Sequence, residues 1–158
     1  MTGHPNPRGK GSRLPGPTSL EEPWRRLREA YRTLRPRWAA SLARFDLSLP
    51  EYEVLELCGS FPAKAAAIAR ATGITPAGVT DVIDRLERRG VVRRAADPTD
   101  RRAVLVQLTP AGRTLYREAQ SARREVLQGL LEAMTDRERR SLVLGLTALL
   151  RAVPKPAD

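Results

Sequence analysis

Leu20, Trp24, Leu27, Tyr31, Leu34, Trp38, Leu42 and Phe45 return at alternating steps of four and three, a spacing that puts one narrow apolar seam along a long helix. Pro36 falls inside this run, where it removes one backbone donor and is expected to kink the helix near residues 33–35. A second helix is predicted from Ser48, because Ser48 and Glu51 make a capping box and Pro50 lies in the first turn, where a missing N–H does no harm. Val54, Leu55 and Cys58 supply its buried face. Gly59 and Pro62 then separate it from a short alanine-rich helix over residues 63–71, with Gly73 as a left-handed exit.

Thr75 and Pro76 repeat the N-cap and first-turn-proline signal, so helix, four-residue turn and helix follow one another from residue 63 to about 90. On the second of these helices Val79, Val82, Ile83 and Leu86 form one stripe, which leaves Ala77, Gly78, Asp81, Arg85 and Arg88 facing away. After Gly90 the period drops to two. Residues 91–94 and 103–108 predict a β-hairpin around a charged loop, 95–102. Thr109-Pro110 opens another long helix, with Leu115, Ala119, Ala122, Val126, Leu130 and Met134 at helical spacing, and Thr135 with Glu138 caps a last one carrying Leu142, Leu146, Leu149 and Val153.

The predicted fold is mainly α with a small β-hairpin wing, a winged helix-turn-helix between long N- and C-terminal dimerisation helices. Its segments are a disordered basic arm (1–17), an N-terminal dimerisation helix (18–47), the winged helix-turn-helix DNA-binding region (48–112), C-terminal dimerisation helices (113–153) and a tail (154–158). The arm holds four Gly and four Pro, no acid and only Leu14 as a large aliphatic residue, too little to offset the entropy of ordering.

Composition narrows the function. The 158 residues fit one domain, which at this size buries roughly 70% of the surface of its unfolded form. Lys and Arg number 28 against 18 acids, a net charge of +10, which makes nucleic acid the leading partner. An anionic membrane ranks behind it, and no membrane partner is expected: the longest nearly apolar stretch, 142–150, falls far short of the ~20 residues of a spanning helix, and no hydrophobic signal segment follows Met1. A single cysteine, Cys58, forms no internal disulfide and no cysteine-based zinc cage, which suits the cytoplasm. The single histidine, His4, lies in the arm, so no Ser-His or Cys-His pair and no histidine metal cluster is available. Neither catalysis nor a cofactor nor a metal is expected.

The run Thr75-Pro-Ala-Gly-Val-Thr-Asp-Val-Ile-Asp-Arg-Leu-Glu-Arg-Arg-Gly-Val-Val-Arg-Arg94, with Asp97-Pro-Thr-Asp-Arg-Arg-Ala-Val-Leu-Val-Gln-Leu-Thr-Pro-Ala-Gly112, resembles the multiple antibiotic resistance regulator (MarR) family. The resemblance is motif-grade over about residues 63–112. It implies an obligate homodimer carrying a winged helix in each subunit, usually a repressor, whose DNA affinity falls when a small-molecule effector binds or a thiol is oxidised. It places Thr75, Ala77, Gly78, Thr80 and Asp81 of the recognition helix near DNA, and Arg85 near the phosphates or the wing. In the wing it maps an inserted minor-groove arginine to Arg102 and the aspartate holding it to Asp100, with Arg101 as a phosphate contact. A narrow A·T-rich minor groove concentrates negative potential, which suits a buttressed arginine.

Asp81 departs from many relatives, which carry a basic or neutral polar residue there. Beside phosphates an acid costs affinity unless it pairs with Arg85 at i,i+4 or accepts from cytosine N4. A crevice for the effector is likewise an implication of the family, with Tyr31, Trp38 and Tyr52 as candidate lining. Cys58, on the inner face of its helix, is expected to be an inert core thiol.

The apolar seams exceed what one small winged helix covers, so a monomer would expose a patch larger than the few hundred Å2 usually tolerated. A homodimer buries them and sets two recognition helices ~34 Å apart, which calls for double-stranded DNA with a roughly palindromic operator. An intrachain helical bundle is the alternative for the seams. Two other functions fit the same residues: a non-specific nucleic-acid or chromatin-associated winged helix, and a helical protein-interaction module.

Overall fold

The computed structural model describes residues 21–98 and 104–153. The expected basic arm, the wing tip with Asp100, Arg101 and Arg102, and the tail lie outside the described residues. The chain divides between Arg35 and Pro36 into two compact units, inside the segment expected as one dimerisation helix. Helix α1, Glu21–Ala43, runs across that division with Pro36 inside it. In the first unit Glu22 pairs with Arg25 and Arg26 one turn on, while Trp24, Leu27 and Tyr31 stand exposed.

The second unit holds α2 (Leu49–Leu57), β1 (Ala63–Lys64), α3 (Ala65–Thr72), α4 (Pro76–Arg88), β2 (Val92–Ala96), β3 (Val104–Leu108), α5 (Pro110–Glu132) and α6 (Asp136–Ala152). Four helix starts follow their caps. Ser48 and Thr135 each close a full capping box, with Glu51 and Glu138, and Thr75 and Thr109 accept from the N–H of Gly78 and Gly112. Gly73 and Gly90 take the left-handed conformation that ends α3 and the turn after α4, with φ of 70° and 69°. The core forms where the buried stripe of α4, namely Val79, Val82, Ile83 and Leu86, meets Val54 and Leu55 of α2, Ile68 of α3 and Val106 of the sheet.

Two expectations need correction. The predicted helix from residue 63 begins at Ala65, because Ala63 and Lys64 are a strand pairing antiparallel with Val106 and Leu105 of β3. The hairpin is therefore part of a three-stranded sheet of order β1-β3-β2. Alanine and lysine favour helix by propensity, and the free edge of β3 outweighs that preference over two residues. Strand β2 also extends through Ala96, opposite Val104, into what was expected as loop.

Candidate nucleic-acid interface

Helices α3 and α4 are joined by Gly73 to Thr75, and α4 presents two unlike faces. Beneath it Leu86 is fully buried and Val79 and Ile83 nearly so; above it Thr75, Ala77, Thr80 and Asp81 are exposed. The Thr80 hydroxyl donates to the Pro76 carbonyl at 3.0 Å, which turns its methyl and oxygen along the helix. Gly78 is only half exposed. A Cβ there would come within 2.9 Å of Ile74 Cγ2 and 3.2 Å of Thr75 Oγ1, so glycine is required by the packing of the turn itself. The exposed start of the helix is thus built of short side chains over a rigid apolar base.

Two contacts tie this helix to the hairpin. Arg94 of β2 is hydrogen-bonded through its guanidinium to Asp84, at 2.5 Å, and to Glu87, whose carboxylate also accepts from the Arg94 backbone N–H at 3.0 Å. At the base of the wing, Lys64 Nζ lies 3.0 Å from the carboxylate of Asp97, which is only 6% exposed. Below both, Thr109 hydrogen-bonds to the carbonyls of Gly90 and Val91, and the first turn of α5 passes over Val91 so closely that a Cβ on Gly112 would stand 1.8 Å from its oxygen.

The C-terminal half of α4 is tied to the corner between α1 and α2. Arg89 donates to the carbonyls of Asp46 and Phe45 at 2.5 and 3.1 Å, and Asp46 holds a left-handed φ of 52° to make that corner. Arg85 Nε donates to Glu51 Oε1 at 3.2 Å. The expected Asp81–Arg85 pair is therefore not formed: Arg85 turns to the half-buried side of α4, where a carboxylate fixed by α2 waits, and Asp81 has no ion pair among the described residues. Burial opposes the charge on Glu51, but hydrogen bonds from the Ser48 hydroxyl and N–H and from Arg85 together outweigh it and hold the carboxyl below the usual range. A cleft of about 640 Å3 opens here, lined by Leu47, Ser48, Glu51, Arg85, Arg88 and Arg89 among others.

The MarR family model matches residues 45–103, the stretch from the α1–α2 corner through the wing. The chain is 32% identical over 111 residues to the HTH-type transcriptional regulator YfiV of Bacillus subtilis, covering 70% of this chain and 69% of that one. It is 32% identical over 108 residues to the HTH-type transcriptional repressor Rv2887 of Mycobacterium tuberculosis, covering 68% and 78%. The chain belongs to the MarR family. Among solved structures, BpsR of Bordetella bronchiseptica, whose DNA binding is regulated by 6-hydroxynicotinic acid, superposes with a TM-score of 0.71 at 30% identity, covering 87% of this chain and 100% of that one. This MarR-family regulator thus has the winged helix-turn-helix that its residues predicted.

The candidate effector residues are placed unevenly in this MarR chain. Tyr52 is 1% exposed and packs in the core cluster, with its ring 6.0 Å from that of Tyr116. Trp38 is half-buried, and its Nε1 is a buried donor without a partner among the described residues. The Arg123 guanidinium lies 5.6 Å from the centre of the Trp38 ring and 5.1 Å from that of Tyr52, and bonds Glu56 at 2.8 Å. Tyr31 is exposed on the segment before Pro36. Cys58 is 4% exposed, and burial pushes its thiol up to about 11, so almost no thiolate exists at neutral pH. No pattern in the sequence marked Arg123, Arg94 or the Glu51–Arg85 pair, since each joins positions remote along the chain or one turn out of register. Among the described residues no cluster of His, Cys, Asp and Glu fits a metal, and no helix is long and apolar enough to cross a membrane.

Proposed function

We propose that this chain is a homodimeric, sequence-specific regulator of transcription that represses by occupying a roughly palindromic operator in double-stranded DNA, acts in the cytoplasm, catalyses nothing, and is released by a small-molecule effector. The observation that carries the reading is the start of α4: four exposed, short or acidic side chains on a base buried to the last methyl, fastened by Arg94 to the strand that leads into the wing. Such a helix start enters a major groove without steric cost. Thr75 and the Ala77 N–H of the first turn meet a phosphate, the Ala77 methyl meets a thymine methyl, and Thr80 and Asp81, which has no ion pair among the described residues, reach base edges, with cytosine N4 as the donor for the acid. Arg85 meets the backbone.

Residues 97–103 lie between β2 and β3 in the chain, and in this reading Arg102, buttressed by Asp100, enters the minor groove and Arg101 meets a phosphate. Trp38 and Arg123 supply an effector with an unsatisfied N–H, a ring face and a fixed cation, a set suited to a flat organic anion; BpsR, with its 6-hydroxynicotinic acid, supports that class. Binding selection on random duplexes tests the whole reading. Enrichment of an inverted repeat is expected, and a flat profile overturns it. Arg102→Ala is expected to weaken binding to the selected duplex by about 1–3 kcal/mol with the circular dichroism spectrum unchanged.

A further inference from the structure

The proposed reading makes Arg85 a backbone contact, and the structure shows what aims it. Glu51 is 7% exposed, and its two oxygens are fully engaged: Oε2 accepts from the N–H and hydroxyl of Ser48 at 2.8 and 2.7 Å, and Oε1 accepts from Arg85 Nε at 3.2 Å. A carboxylate locked by its own helix cap is a fixed point. The guanidinium is held through Nε, and its two terminal nitrogens make no hydrogen bond among the described residues while Arg85 lines the open cleft beside Arg88. We infer that Glu51 is a positioning residue for DNA binding, which orients Arg85 so that its terminal nitrogens take one phosphate of the operator backbone as a fork.

The opposite sign has to be weighed, because a carboxylate near a phosphate repels it. Glu51 sits in the first turn of α2, where the aligned peptide dipoles place partial positive charge, and it is only 7% exposed although it lines the same cleft as Arg85. Much of its charge is balanced before Arg85 is counted, so the guanidinium keeps a net attraction for phosphate. Holding the side chain in advance removes rotamer entropy that a free arginine would lose on binding. The same acid that costs some Coulomb attraction thus raises affinity through orientation.

The inference rests on the DNA-binding reading, and a double-mutant cycle separates the two. The probe is the duplex recovered from random sequence by the wild-type protein, with affinity measured by anisotropy across a salt series. Arg85→Ala removes one phosphate contact from each protomer, so for the dimer on an inverted repeat the salt slope is expected to fall by about two. Glu51→Ala is expected to weaken binding about five-fold alone and to add nothing in the Arg85→Ala background, the non-additivity of residues acting as a unit. Glu51→Gln keeps one oxygen for the Ser48 cap and turns an amide NH2, a donor, toward Arg85 Nε, so it is expected to stay folded, to weaken binding as Glu51→Ala does, and to add nothing in the Arg85→Ala background.

A structural role for Glu51 would instead cost the same in both backgrounds, and that result overturns the inference. So does an Arg85→Ala protein with unchanged affinity and salt slope. Thermal melts of all variants report whether each is folded, and Glu51→Gln carries the comparison if Glu51→Ala melts early. Failure of the wild-type protein to recover any duplex would overturn the proposed function and the inference with it, whereas equal costs of Glu51→Ala in both backgrounds would overturn the inference alone.

Discussion

Gly112 shows how one residue can decide whether the wing sits on the body of the molecule. Its missing Cβ leaves room for the Val91 carbonyl, which would otherwise be overlapped at 1.8 Å, and that carbonyl in turn accepts the Thr109 N–H at 3.1 Å. Backbone on both sides leaves nowhere to relax. Gly112→Ala is therefore expected to destabilise by about 3 kcal/mol or more, in the range of severe overpacking, and urea titration followed by circular dichroism measures it. Glu51 offers a second test at this scale. Its carboxyl is held below the ordinary value of 4.5, so folding binds its proton less tightly than the unfolded chain does. The stabilisation is complete above that value and is lost as pH falls through the lower folded one. The urea midpoint should drop below pH 4.5, and Glu51→Gln should flatten part of that drop; an identical pH profile in the variant would remove the assignment. The cap between Ser48 and Glu51 was legible in the sequence because both partners lie within one turn. The bond from Glu51 to Arg85 was not, because it spans elements, and local spacing pointed to Asp81 instead.

At the scale of elements, what the chain announces is what its backbone needs locally. Ser48, Thr75, Thr109 and Thr135 satisfy N–H groups that every helix leaves open, so the same residue types recur at each start, and the apolar period between them follows from burial of one face. Strand β1 carries no such signal. Two residues are too short for a period, and Ala63 and Lys64 become strand only because β3 has an unpaired edge to offer. The link between α4 and the hairpin was equally hidden, since Arg94 looks from the sequence like one more surface cation. Its bonds to Asp84 and Glu87 clip α4 to β2. Arg94→Ala should lower the unfolding free energy by about 1 kcal/mol, as expected for a partly exposed network, and should speed amide exchange in β2 and β3 while leaving α2 protected. Exchange unchanged in the hairpin would mean that the sheet holds the wing without this clip.

For the whole molecule the deciding fact is that α6 has no buried residue although Leu142, Leu146 and Leu149 recur along it at helical spacing, each more than 40% exposed. Leu131, toward the end of α5, is 41% exposed as well. A helix gains most of its stability by burying an apolar face, and 17 residues alone are marginal in water, so a seam of this length needs a surface to cover it. The same face on a second chain is the cover that the proposed two-fold dimer would provide, and such a dimer would set two copies of α4 about one DNA turn apart. Sedimentation at micromolar concentration is expected to show twice the 17.5 kDa of one chain. Leu146→Glu sets two like charges into the middle of that interface, so it should yield a monomer, with α6 partly unfolded and affinity for an inverted repeat reduced to that of a single half-site. Both changes must appear together. A variant that stayed dimeric would move the interface off α6, and a monomer that bound the full repeat as tightly as the parent would show that the two recognition helices act independently.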